Sequence, residues 1–404
     1  MALRIRTVRD PEELALAMGA IGHYFGWVPT AEQTESIMSY LPLDRMHAAF
    51  EDGKIVGGAG VYPLQMTVPG GPMQCAGVTI VGVLPTHRRR GILRRMMTAQ
   101  LADVRERGEP IASLWASEDT IYGRYGYGAA SRCLHVLFPR VSAELAPGLP
   151  PREGQARLVE HEEAMHAFPR IYDRIGRRRA GFIRRSNDWW KSRTLDDNEW
   201  RRGGAGPMNH VLVEIDGRPV GYAIYRIFQH QTEWKRTLRV QEALGLDPQA
   251  TREVWRFLIG IDWMDEIQMR LLPIDHELWH LVARPRLLGA KLFDALWVRP
   301  VDVGAALSGR SFATDGRLTL EIGSDPLFEE NVGTWTVADG RVRRSSRRPD
   351  VRLDIQALGS VFLGGFSFAE LSRGERVEEA ARGGLARADA MFRTDVAPWC
   401  PEIF

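Results

Sequence analysis

The stretch from Val78 to Leu93 reads Val-Thr-Ile-Val-Gly-Val-Leu-Pro-Thr-His-Arg-Arg-Arg-Gly-Ile-Leu. Val78, Ile80, Val81 and Val83 have the β-branched apolar character of a core strand. Pro85 cannot extend that strand, and its fixed φ suits a turn. Ile92, Leu93, Met96, Met97 and Leu101 then recur at the spacing of one apolar helix face. Arg88, Arg89, Arg90 and Gly91 therefore fall at a helix N-terminus. The first amides of a helix lack intrahelical partners and the dipole is positive there, so a phosphate is favoured. Gly91 has no side chain and lets a phosphate approach the backbone. Arg-x-x-Gly alone is a weak pattern. Flanked by an apolar strand and an amphipathic helix, it predicts a phosphate site.

Composition bounds the rest. A chain of 404 residues is long for one domain, and two or three are expected. Hydrophobic content of 44% and charged content of 26% fit an ordinary globular protein. A net charge of +2 gives no global case for nucleic acid, so the local arginine runs need local explanations. The run Arg343–Arg348 reads as a solvated hairpin tip, because no aromatic platform is interleaved with it. The N-terminus has no apolar leader segment, and no run of about 18 apolar residues occurs. Cys75, Cys133 and Cys400 lie too far apart in sequence for a disulfide framework or a metal cluster, so a cytoplasmic location is expected. His276-Glu277-Leu278-Trp279-His280 matches His-Glu-x-x-His, but Pro273 and Asp275 frame only a short helix and no third ligand follows. No metal is predicted.

The order of elements divides the chain into three regions. In residues 1–147, Asp10 and Pro11 open a helix. Ala48–Phe50, Lys54–Ala59 and Leu64–Val68 read as strands, with Glu51-Asp52-Gly53 as a hairpin turn. The strand–turn–helix unit comes next. Pro110–Trp115 is a further buried strand, and Ser117-Glu118-Asp119 reads as a helix N-cap cluster. This is a mixed α/β sheet split near its middle. Ala146–Pro151 is a turn-rich boundary. Residues 148–295 repeat the grammar: a helix over 160–175, a hairpin about Asp216-Gly217, a strand over 239–244 and a helix over 249–262. Here the strand–helix junction carries Asp247, which repels phosphate, and no glycine. The reading is a second copy without its cofactor site. Residues 296–404 hold a strand near Trp297, a helix over 304–308, strands over 317–322, 333–337 and 341–343, and helices over 355–362 and 386–392.

Arg88-Arg89-Arg90-Gly91-Ile92-Leu93 resembles the Gln/Arg-x-x-Gly-x-Gly/Ala acyl-CoA turn of GCN5-related N-acetyltransferases (GNATs), departing from it at Leu93. Ala116-Ser117-Glu118, Ile121-Tyr122-Gly123-Arg124-Tyr125-Gly126-Tyr127-Gly128 and the terminal Phe404 extend the likeness. The whole chain resembles the Eis (enhanced intracellular survival) family. That family has two tandem GNAT-type modules, the second degenerate, followed by a module like sterol carrier protein. The resemblance implies an α/β (α+β) fold and an acetyl-CoA-dependent N-acetyltransferase without a metal. It implies broad amine specificity, aminoglycosides at several amino groups included, by direct transfer in a ternary complex. The implied partners are a small-molecule amine acceptor and other copies of the chain, a hexamer by family likeness, with no nucleic acid and no membrane.

The resemblance also assigns residues. Backbone groups of Val81, Gly82 and Val83 bond the pantetheine, and the turn from Arg88 through Arg89, Arg90, Gly91, Ile92 and Leu93 to Arg94 holds the pyrophosphate. Ser117 and Glu118 supply the remaining cofactor contacts. Tyr122 is the general acid for the leaving thiolate, with Tyr125 and Tyr127 as neighbouring competitors, and the Phe404 α-carboxylate is the base. A carboxylate of ordinary pKa about 3.3–3.7 acts there mainly by holding the substrate ammonium, unless burial raises it. Asp44, Glu118, Trp27 and Phe25 are candidates for the acceptor walls. A rival reading is a lipid or ligand carrier with a vestigial acetyltransferase module. The intact Arg-x-x-Gly turn and Tyr122 argue against it.

Overall fold

The structure, a computed structural model, describes residues 3–404, so the first two residues of the N-terminus read above lie outside it. The chain divides into two compact units. The first comprises residues up to 131, 295–398 and 403–404; the second comprises 132–294 and 399–402.

The first unit begins with strand β1 (Arg4–Thr7) and helix α1 (Pro11–Gly22), whose N-terminus is capped by Asp10 accepting from the Glu13 amide at 2.8 Å. Helix α2 (Ala31–Met38) carries a capping box between Thr30 and Gln33. Strands β2 (Met46–Glu51), β3 (Lys54–Val68) and β4 (Gly71–Val83) form an antiparallel meander. Lys54–Val68 is one continuous strand rather than the two expected. Gly57, Gly58 and Gly60 do not end it, because strands on both sides keep its backbone paired. Helix α3 (Ile92–Glu106) then crosses back, burying Ile92, Met96, Met97, Gln100, Leu101 and Val104. Each of the five apolar side chains Ile92, Met96, Met97, Leu101 and Val104 contributes about 1.5–3 kcal/mol by leaving water. Strand β5 (Ile111–Trp115) pairs parallel to β4, and helix α4 (Asp119–Tyr122) follows.

The sheet is completed from far along the chain. Its order is β1, β2, β3, β4, β5, then the strand Leu296–Pro300, then β6 (Gly128–Ala129). Leu296–Pro300, read from sequence as the opening of the third region, thus belongs to the first sheet. The rest of this unit is a five-stranded sheet with the helices Ile355–Phe362 and Gly384–Phe392. Its core is filled by Leu318, Leu320, Ile322, Val337, Leu358, Val361 and Phe368. The buried guanidinium of Arg310 donates to Phe362 O at 2.8 Å and Phe392 O at 2.5 Å, satisfying carbonyls at both helix C-termini.

The second unit holds another seven-stranded sheet. Its single parallel pair, Arg236–Gly245 with Glu266–Pro273, sits among antiparallel neighbours as β4 and β5 do. The helix Pro248–Gly260 follows the first strand of that pair, as α3 follows β4. This is the duplicate inferred from sequence. The strand Arg132–Pro139, which precedes the turn-rich Ala146–Pro151, is part of this second sheet.

Candidate active site

Strand β4 pairs with β5 only from Cys75 to Gly77, opposite Ile111 to Ser113. Beyond that, Leu114 and Trp115 are bonded only on their other edge, by Leu296–Pro300, which lines β5 along its whole length, while Val78–Val83 keep β3 alone as partner. The two parallel strands therefore splay and leave one edge of β4 with unpaired peptide groups. A bulge opens the same place: the register with β3 shifts between Gly58 and Gly60, and Ile80 stands at φ +54°. A β-branched residue in the left-handed region costs about 1–2 kcal/mol, and surrounding pairing must hold it there. Val81 and Val83 are half-buried and Gly82 is buried. The Val83 carbonyl accepts from Tyr24 Oη at 2.7 Å, a bond that sequence reading missed.

At the end of β4 the chain turns through Pro85–His87, with Arg89 at φ +60° and Gly91 at φ +76°. No side chain caps α3, and a Cβ on Gly91 would meet nothing within 4 Å. The Arg95 amide is bonded to Gly91 O at 3.1 Å, which leaves the amides of Ile92, Leu93 and Arg94 as helix-start donors. Arg88, Arg89 and Arg94 are exposed, and the Arg88 guanidinium stands 5.9 Å from the Tyr24 ring. Arg90 is differently engaged: Glu51 accepts from it at 2.6 and 3.0 Å, and His87 Nε2 lies 3.2 Å from Glu51. The bond from Arg90 holds the Glu51 carboxyl below its usual range. Glu51 thus fixes the turn to β2, a role hidden from sequence reading. Ile92 and Leu93 send their side chains into the core and offer only their amides. The second unit differs at this point. Asp247 caps its helix by accepting from the Ala250 amide at 2.8 Å, so a carboxylate already occupies the place of an anion.

Tyr122 ends α4, is 6% exposed and meets the Tyr127 ring edge-on at 6.1 Å. Burial, then Tyr125 and Glu118 nearby, push its phenol up to about 12. Burial also raises Tyr125 and Tyr127, and Tyr127 is fully enclosed. Ser117 and Glu118 are exposed ahead of α4, and neither makes the side-chain cap expected of them. Phe404 is 7% exposed, and its ring lies 3.3 Å from where a Cβ on Gly77 would stand. Gly77 belongs to the last parallel pair before the splay. Tyr122 shares a core cluster with Ala76 and Val78. By pleat alternation, then, Tyr122 and Phe404 approach β4 from opposite faces. Cys75 is buried against Ser113 Oγ at 3.1 Å, and burial pushes its thiol up to about 12.

Acetyltransferase (GNAT) domain families match residues 4–130 and 181–300, and the sterol carrier protein domain family matches 303–401. An uncharacterized N-acetyltransferase of Streptomyces avermitilis is 36% identical over 94% of each chain. N-acetyltransferase Eis of Mycobacterium tuberculosis is 34% identical over 85% of this chain and 84% of its own. The crystal structure of Eis1 from Mycobacterium abscessus covers 100% of both chains at 33% identity and a TM-score of 0.86. The chain belongs to the Eis family of GNAT N-acetyltransferases. It is therefore an acetyl-CoA-dependent N-acetyltransferase with two GNAT domains and a sterol-carrier-like domain.

Acetyl-CoA fits the residues present. The open cradle at Gly91, the uncapped helix start and the exposed arginines suit a pyrophosphate, and the free edge of β4 suits an extended amide-bearing arm. Of the candidate acceptor walls in this Eis-family enzyme, Phe25 is 69% exposed beyond α1, and Trp27 is half-buried with its indole on Gln33 at 2.9 Å. Asp44 is exposed and pairs with Arg107 at 3.1 Å, beside the last turn of α3.

His276 of the His-Glu-x-x-His segment is buried. Its Nδ1 accepts from the Leu278 amide at 2.9 Å, and the helix there is only Leu278–Leu281. Burial pushes the imidazole down to about 3. The neutral ring is favoured in the folded chain, so its contribution is complete above the unfolded pKa near 6.5 and is lost as pH falls toward 3. The full loss is on the order of 4–5 kcal/mol. Urea unfolding at pH 7, 5 and 4 is expected to show this fall, and His276→Leu is expected to flatten it. An equally steep fall in the variant would refute the assignment.

Proposed function

We propose that this enzyme acetylates primary amines of broad structure, polycationic ones such as aminoglycosides at several amino groups included, by direct transfer within a ternary complex. The observation that carries the reading is the terminal residue, Phe404, packed against Gly77 where β4 and β5 part. Acetyl-CoA supplies an activated thioester. Val81–Val83 bond its extended arm, the turn Arg88–Arg94 neutralises its phosphates, and Ser117 and Glu118 border it. The Phe404 carboxylate draws in the substrate ammonium and takes the proton that the amine sheds. Tyr122 gives its proton to the departing sulfur. A buried Cys75 whose thiol is pushed up to about 12 supports direct transfer over an acyl-enzyme. Exposed Phe25 and Glu118 offer an apolar and an acidic wall to a polycation.

The test is acetyl-CoA turnover with a panel of polyamines and aminoglycosides, comparing the chain with a variant carrying one glycine after Phe404. Turnover is expected to fall roughly 10- to 100-fold in the extended chain, the scale of one charge-assisted hydrogen bond, with acetyl-CoA binding kept. Equal turnover would remove the carboxylate from the mechanism. A homo-oligomer, a hexamer, is part of the same proposal. The exposed edge strand Lys291–Asp294, with Leu292 and Phe293 toward solvent, supports association, and a sedimentation-equilibrium mass of one chain would refute it. The buried Cys75, Cys133 and Cys400, none of them in a disulfide, support a cytoplasmic setting.

A further inference from the structure

The turn that carries Tyr122 contains Gly123, Gly126 and Gly128, and in each a Cβ would collide with a neighbour. At Gly123 the obstacle is Gln356 Nε2, at 2.9 Å. At Gly126, which closes the turn at φ +85°, it is the Arg299 guanidinium, with Ile355 Cγ2 at 2.9 Å. At Gly128 it is the Gln356 carbonyl, with the Ser360 amide at 2.8 Å. Gln356, Ile355 and Ser360 all lie on the helix Ile355–Phe362 of the sterol-carrier-like region. The Tyr122 turn is therefore seated, glycine by glycine, on one helix of that region.

A buried ion pair backs the seat. Arg299, on the strand beside β5, and Asp325, in the sterol-carrier-like region, each have 0% exposed side chains and meet at 2.8 Å. Asp325 is fully engaged, accepting also from Asn331 Nδ2 at 2.8 Å and from the Leu327 amide at 2.9 Å. With Asp325 fixed, the guanidinium is pressed on Gly126. The Gln356 side chain is steadied in turn by Arg376, which donates to its Oε1 at 2.8 Å.

We propose that the sterol-carrier-like region is a buttress for catalysis, with Gln356 and the Asp325–Arg299 pair as positioning residues that aim the Tyr122 hydroxyl. The inference rests on the reading of Tyr122 as proton donor. A misplacement of about 1 Å in such a group costs up to roughly 100-fold in rate.

The experiment measures kcat and the acetyl-CoA KM for Asp325→Asn and Gln356→Ala, each alone and combined with Tyr122→Phe. Gln356 is only half-buried, so its variant folds even where loss of the Asp325 charge does not. The expected result is a kcat lowered roughly 10- to 100-fold with KM within about twofold. In the Tyr122→Phe background the same changes are expected to cost nothing further, because they act through a hydroxyl already gone. A purely structural role would lower the melting temperature and multiply with Tyr122→Phe. Multiplicative losses, or an unchanged kcat in both single variants, overturn the buttress while leaving Tyr122 in place. Normal turnover by Tyr122→Phe alone overturns the proton donor and the buttress with it.

Discussion

Tyr122→Phe is expected to lower kcat by roughly 10²–10⁴-fold, the usual worth of a positioned general acid, while acetyl-CoA binding persists. The substitution removes one oxygen and keeps the ring. The edge-on contact with Tyr127 and the place of the ring in the core cluster that holds Ala76 and Val78 therefore survive. The phenol, pushed up to about 12 by burial, keeps its proton throughout the working range. Its ionisation is expected to leave the rate untouched below about pH 11. The acid limb of the pH profile belongs instead to groups that must shed protons, the substrate ammonium first among them. Turnover within twofold of the parent would move the acid role to Tyr125 or elsewhere.

Arg185→Met is expected to destabilise the second unit by about 3–5 kcal/mol, the scale of a buried charge left without its partner. The Arg185 side chain is wholly enclosed. It pairs with Glu242 and, at 2.8 Å, with Glu402, and it lies 4.1 Å from the Tyr172 ring and 4.7 Å from Trp190. Tyr222 Oη donates to Glu242 at 2.6 Å, and Arg193 reaches Glu402 at 3.1 Å. Burial by itself would push the Glu402 carboxyl up, but Arg185 and Arg193 outweigh it and the net shift is downward. Methionine fills much of the volume but leaves the buried Glu242 carboxylate without a cation, and leaves Glu402 with Arg193 alone. Adding Glu242→Gln is expected to recover a good part of the loss. Denaturant unfolding followed by tryptophan fluorescence reads both, and a loss under about 1 kcal/mol for the single variant would contradict the argument.

What sequence carried was local. Asp10 and Pro11 announce a helix start, Val78–Leu93 announces strand, turn and helix, and Asp247 marks a second strand–helix junction. Each depends on neighbours within a few residues, and each is found as read. What sequence could not carry was pairing. The pattern of Leu296–Pro300 says strand and nothing of its partner β5. Glu51 is an ordinary hairpin acid until the fold brings Arg90 to it. Phe404 is conspicuous only by family likeness, since a terminal apolar residue has no periodicity to argue from.

The insertion of Leu296–Pro300 beside β5 bears on biosynthesis. On the ribosome, Trp115 emerges roughly 180 residues before its partner Leu296, an interval of about 10–40 s at ordinary elongation rates. Through that interval one edge of β5 has no strand to bond. The nascent chain must keep that edge shielded, so a translational pause or a premature stop anywhere in the second unit would release an aggregation-prone half-sheet.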